Sequence, residues 1–72
     1  MIDWDDKAAV LKAVKKNGLA LKHASERLRN NREIVLEAVK RNYRAFKFVS
    51  AQLKVDEEVV VETVKGSLKK YV

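Results

Sequence analysis

Apolar positions along the chain come in blocks whose spacing is helical. Ala8, Ala9, Val10, Leu11, Ala13 and Val14 crowd one stretch, and Lys15-Lys16-Asn17-Gly18 closes it. Ile34, Val35, Leu36, Ala38 and Val39 crowd another, closed by Lys40-Arg41-Asn42-Tyr43. Apolar side chains over so wide an arc predict helices covered on more than one side. Narrower stripes at spacings of three and four follow each block: Leu21, Ala24, Leu28, then Phe46, Val49, Leu53. These predict second helices running from about Leu19 to Leu28 and from about Arg44 to Leu53.

The pattern repeats. Shifted by 25 residues, the chain matches itself: residues 7–31 align with residues 32–56, and ten of the 25 pairs are identical. The identities are Val10/Val35, Leu11/Leu36, Ala13/Ala38, Val14/Val39, Lys15/Lys40, Asn17/Asn42, Ala20/Ala45, Lys22/Lys47, Ser25/Ser50 and Leu28/Leu53. A partial third copy, 57–72, keeps Val60, Val64 and Lys65 at the repeated places. The prediction is an all-α fold. Residues 1–72 form a single helical-repeat domain of five helices, stacked as a small array because one unit cannot bury its own apolar face.

Helix starts and stops fit this scheme. Asp6, Asn31 and Asp56 precede the first helix of each copy and are good N-caps. Glu33, Glu57 and Glu58 occupy first turns, and Lys15-Lys16 and Lys40-Arg41 last turns, as the helix dipole favours. Val55 and Val60 bracket the third start as a hydrophobic staple would. Asn17-Gly18 predicts a left-handed C-cap; Asn42-Tyr43 predicts a kink instead. The recurrent small residues Ala13/Ala38, Ala20/Ala45 and Ser25/Ser50 predict close helix crossings.

The residues that recur resemble a family of short tandem helical repeats of unknown function, found in bacterial and some protist proteins. In the first copy these are Val10, Leu11, Ala13, Val14, Lys15, Asn17, Gly18, Ala20, Leu21, Ala24, Ser25, Leu28 and Asn31. In the second they are Glu33, Val35, Leu36, Ala38, Val39, Lys40, Asn42, Ala45, Ser50, Leu53 and Asp56. Tyr43 replaces the family's glycine and Phe46 its leucine, while His23 and Phe48 stand where an aromatic residue is usual. The resemblance implies a fold and a repeat architecture, and it brings no catalytic residues.

Composition narrows the chemistry. Cysteine is absent, which excludes disulfides, thiolate nucleophiles and cysteine-ligated metals. No apolar run approaches a membrane span, the acidic start Met1–Asp6 is no secretory signal, and a cytoplasmic location follows by default. His23 has no partners spaced for a metal site; its alignment with Phe48 predicts a partly buried packing role. Ser25 and Ser50 lack the base and orienting group of a nucleophile. Asp3, Asp5 and Asp6 lack the glycine turn and distal glutamate of a calcium loop. The expectation is a non-enzyme with no cofactor, metal or small-molecule substrate.

Two interaction readings remain. The leading one is a module that binds a protein partner or self-associates as a homo-oligomer. The third copy's helix is apolar over much of its circumference, so Val59, Val61, Leu68 and Tyr71, with Trp4 at the other end, form the candidate protein interface. The alternative is binding of nucleic acid or another polyanion. The formal charge is +6, and residues 7–54 alone carry +10 between acidic or near-neutral ends. Repetition would set Lys15, Lys16 and Lys22 in rows with Lys40, Arg41 and Lys47. A phosphate backbone could follow such rows, and Tyr43 beside Arg44 could stack a base.

Overall fold

The computed structural model describes residues 1–69. All of its regular structure is helical. Helix α1 spans Lys7–Lys16, α2 Glu26–Arg29, α3 Arg32–Arg41, α4 Ala51–Lys54 and α5 Glu57–Lys69. Two 3-10 helices, Gly18–His23 and Tyr43–Phe48, follow α1 and α3. Every element of the first copy recurs 25 residues later in the second.

Each long helix is opened as its sequence predicts. Asp6 Oδ1 accepts from Ala8 N at 3.1 Å, Asn31 Oδ1 from Ile34 N at 3.2 Å, and Asp56 Oδ1 from Glu58 N and Val59 N at 3.0 and 3.1 Å. These bonds satisfy amides that have no partner inside the helix. The predicted staple does not form, because Val55 is 82% exposed.

The second helix of each unit is not continuous. Ala24 (φ −67°, ψ 152°) and Val49 (φ −71°, ψ 143°) are extended and separate the 3-10 helix from the short α-helix after it. Ser25 and Ser50 cause the restart. Their side chains accept from Leu28 N and Leu53 N, both at 3.3 Å, so they are N-caps and not spacers at helix crossings. Their backbone amides also donate to the segment stacked before them, Ser25 N to Trp4 O of the leading segment at 2.8 Å and Ser50 N to Arg29 O of the first unit at 3.1 Å.

The helix stops also differ from expectation. Asn17 (φ −153°, ψ 107°) and Asn42 (φ −153°, ψ 109°) share one extended conformation, and no described residue has positive φ. Each asparagine ends its α-helix and caps the 3-10 helix, accepting from Leu19 N and Arg44 N at 3.0 Å. The second break is therefore the same turn as the first, not a kink. Gly18 is needed for space. A Cβ there would lie 2.4 Å from the carbonyl oxygen of Ala38 and 2.9 Å from Asn42 N. Helix α5 passes this point uninterrupted, with Ser67 at the asparagine's place.

Helices α1, α3 and α5 lie in a row with α3 in the middle, and the two 3-10 helices pack against each other and against the row. The resulting slab measures 37 × 24 × 15 Å. Its core is Val10, Val14, Leu21, Leu28, Ile34, Val35, Val39 and Val59, all fully buried, with Ala24, Ala38, Ala45 and Val49. Removing each large side chain from water stabilises the fold by about 1.5–3 kcal/mol.

Candidate interaction surfaces

The stacking defines two faces on every long helix. Ile34 and Ala38 of α3 face α1, and Val59 of α5 takes the place of Ile34 one unit later. Val35 and Val39 of α3 sit where Val10 and Val14 sit on α1, under the next helix, and all four are fully buried. The same positions on α5 are Val60 and Val64, and no described element follows to cover them. Val60 is 38% exposed, Val61 41%, Val64 49% and Leu68 59%. At 3.6 residues per turn these four side chains form one stripe of about 100° along α5.

This corrects the predicted interface residue by residue. Val61 and Leu68 are on the surface as expected. Val59 is not, because it belongs to the face that α3 covers. Val60 and Val64 replace it, and the repeat alignment with Val35 and Val39 was the signal that pointed to them. Trp4 is half-buried against the core, with its ring 5.0 Å from the ring of His23, so it is not a free apolar surface. His23 itself is exposed and covers the tryptophan rather than entering the core. Tyr71 lies outside the described residues. At the opposite end of the row, Ile2, Ala9, Lys12, Ala13 and Lys16 line a shallow cleft of about 260 Å³.

Ion pairs and hydrogen bonds stitch consecutive units at equivalent positions. Lys7 Nζ lies 2.8 Å from Glu33 Oε1 at the first junction, and Arg32 takes its place against Glu58 at the second. Arg32 also reaches Asp56 at 3.0 Å. Ser25 Oγ donates to Asp5 Oδ1 at 2.7 Å, and Ser50 Oγ to Asn30 Oδ1 at 2.6 Å. Arg27 Nε donates to Asp5 at 3.2 Å, and Gln52 accepts from Asn30 at 2.9 Å. The acids respond. The Ser25 hydroxyl and then Arg27 hold Asp5 below the usual carboxylate range, and Lys7 does the same for Glu33. Arg32, aided by the Val59 amide, holds Asp56 down, and Asp56 and Glu58 in turn push the Arg32 guanidinium up.

Of the predicted polyanion residues, Lys15, Lys16, Lys22, Lys40, Arg41, Arg44 and Lys47 are all exposed. Several are already engaged. Arg41 bonds Glu37 at 3.3 Å and Lys15 contributes to the field on Glu33, while Lys40 lines a small cleft beside Glu62, whose ion pair is with Lys65 at 3.6 Å. Tyr43 is half-buried: its Cβ would stand 3.3 Å from a Cβ on Gly66, and the Arg44 guanidinium lies 5.4 Å from its ring centre. Among the described residues no group of three or more acids and histidines is placed to hold a metal ion. No described helix is long and apolar enough to cross a membrane.

No curated protein and no solved structure shows significant similarity to the chain. A family model does match. It describes a domain of unknown function, DUF4116, and covers residues 6–54, from the N-cap of α1 to the end of α4; the chain belongs to that family.

Proposed function

We propose that the chain is a non-enzymatic interaction module whose outward α5 face binds a polypeptide, either another protein or a second copy of itself. One observation carries this reading. Val60 and Val64 stand uncovered at positions that are sealed on α1 and α3 by the next helix in the row. A contiguous apolar stripe rimmed by charged residues is the usual mark of a protein contact. Immobilised wild-type chain is expected to retain a polypeptide, its own labelled copy included, that the Val64→Asp variant does not retain. The reading fails if no retained polypeptide depends on Val64.

Polyanion binding is the second reading, supported by six exposed cations in repeated positions, with Arg44 beside them. It has less behind it, because Arg41 is tied to Glu37 and Tyr43 is half-buried. It predicts binding of DNA, RNA or heparin that weakens steeply with salt and is lost when Lys15→Glu is combined with Lys40→Glu.

A further inference from the structure

Helix α5 offers its apolar stripe at one end of the row, and α1 offers Ala9 and Ala13 at the other. A second copy could meet the stripe in two ways. It could continue the row head to tail, with its α1 placed on α5 as α3 is placed on α1. Or it could bring its own α5 against the first, related by a two-fold axis. Charge separates the two.

At the internal junctions a base faces an acid. Lys7 meets Glu33, and Arg32 meets Asp56 and Glu58. Lys40 lines a cleft beside Glu62, which is itself ion-paired with Lys65 of its own helix at 3.6 Å. Continue the register one step and each pairing is lost. Glu57 takes the place of Lys7 and Arg32, opposite Ala8 and Asp6 of the added copy, which take the places of Glu58 and Asp56. Lys65 takes the place of Lys40, opposite Lys12, which takes the place of Glu62. An acid would meet an acid and a lysine would meet a lysine. Like charges set together across an interface suppress that partner.

The two-fold arrangement reverses both contacts. Helix α5 is acidic in its first turn, with Glu57 and Glu58, and carries Lys65 two turns later. Glu57 lies on the arc of Val60, Val61, Val64 and Leu68, and Lys65 lies at the edge of that arc. Placed antiparallel, the Glu57 end of each α5 meets the Lys65 end of the other. Both pairs form because a two-fold contact uses every residue twice.

Resting on the reading that this face binds a polypeptide, we infer that the occupant is a second copy of this chain, docked α5 to antiparallel α5. The interface is isologous, built on Val60, Val61, Val64 and Leu68 and oriented by Glu57 and Lys65. It closes at a dimer, since the two-fold contact leaves no second stripe free.

The test uses light scattering across a wide concentration range, with circular dichroism on each variant to confirm unchanged helix content. Wild type is expected to reach twice the monomer mass and no more. Glu57→Lys and Lys65→Glu should each weaken the dimer about tenfold, and the double variant should regain most of the loss. A single Val61→Cys substitution, in a chain with no other cysteine, should form a disulfide dimer, because Val61 meets its own copy only across a two-fold axis. Head-to-tail association gives the opposite signs: Glu57→Lys and Lys65→Glu would each strengthen it, growth would continue past the dimer, and Val61→Cys would not cross-link. That result overturns the antiparallel dimer and leaves the α5 face as a protein site. A strict monomer at every concentration also overturns the dimer. Val64-dependent retention of a foreign protein then decides separately whether the face binds polypeptide at all.

Discussion

Gly18 and Gly66 show how one residue can be fixed by its neighbour's backbone rather than by its own dihedral angles. At the first junction the 3-10 helix comes so close to the end of α3 that Gly18 has no room for a Cβ. The obstacle is the Ala38 carbonyl oxygen at 2.4 Å, which cannot swing aside as a side chain would. At the second junction the small residue changes sides. Tyr43 occupies Gly18's place, and Gly66 of α5 makes room for it: a Cβ added there would stand 3.3 Å from Tyr43 Cβ. Gly18→Ala must push two elements apart and is expected to cost about 1–3 kcal/mol. Gly66→Ala crowds Tyr43 slightly but removes a glycine from a helix interior, a gain of up to about 1 kcal/mol, so its net effect should be within about 0.5 kcal/mol. Urea midpoints of the two variants measure this. Equal losses at both positions would contradict the backbone-contact account.

Elements are held to one another by caps and by the charged junctions between units. The carboxyls of Asp5, Glu33 and Asp56 are all held below their ordinary range in the fold. A lowered folded-state pKa means that the unfolded chain binds protons first as pH falls. Their contribution is therefore complete above about pH 4–5, the ordinary carboxylate range, and is lost as pH drops through and below that range. Melting temperature should be level near neutrality, fall in acid, and fall less in high salt, which already weakens these exposed pairs. Asp56→Asn keeps a competent N-cap, as Asn31 demonstrates, while removing the charge that Arg32 holds. It should flatten part of the acid limb without abolishing α5. An unchanged acid limb in that variant would remove Asp56 from the account. The three N-caps were legible in the sequence because a short polar side chain before an apolar run has one dominant use. The serines were not. Leu21, Ala24 and Leu28 are spaced for a continuous α-helix, and a three-residue spacing fits a 3-10 turn equally well. Only the extended Ala24 and Val49 reveal that Ser25 and Ser50 start new helices.

At the scale of the molecule, position in the row matters as much as residue type. The candidate interface was legible as an excess of valines on the third copy's helix. Which valines face outward was not, because α5 is apolar on two sides and the pattern does not say which side is covered. Val59 and Val60 are neighbours with opposite fates, fixed by where α3 lies. The same asymmetry governs local stability. Helix α3 is packed on both sides and buries Ile34, Val35, Ala38 and Val39, whereas α1 buries only Val10 and Val14. Among the described residues of α5 only Val59 belongs to the buried core. In a row of stacked helices each element is stabilised chiefly by its nearest neighbours, so opening should begin at the ends. Amide hydrogen exchange is expected to be slowest over Val35–Arg41 of α3, intermediate in α1, and fastest in the last described turns of α5. Raising the protein concentration should protect α5 selectively once its outer face is covered by a second copy, since only the associated form shields those amides. Uniform protection along all three helices would mean that the chain unfolds as one block with no weak end. Concentration-dependent protection of α1 in place of α5 would mean that association uses the opposite face of the row.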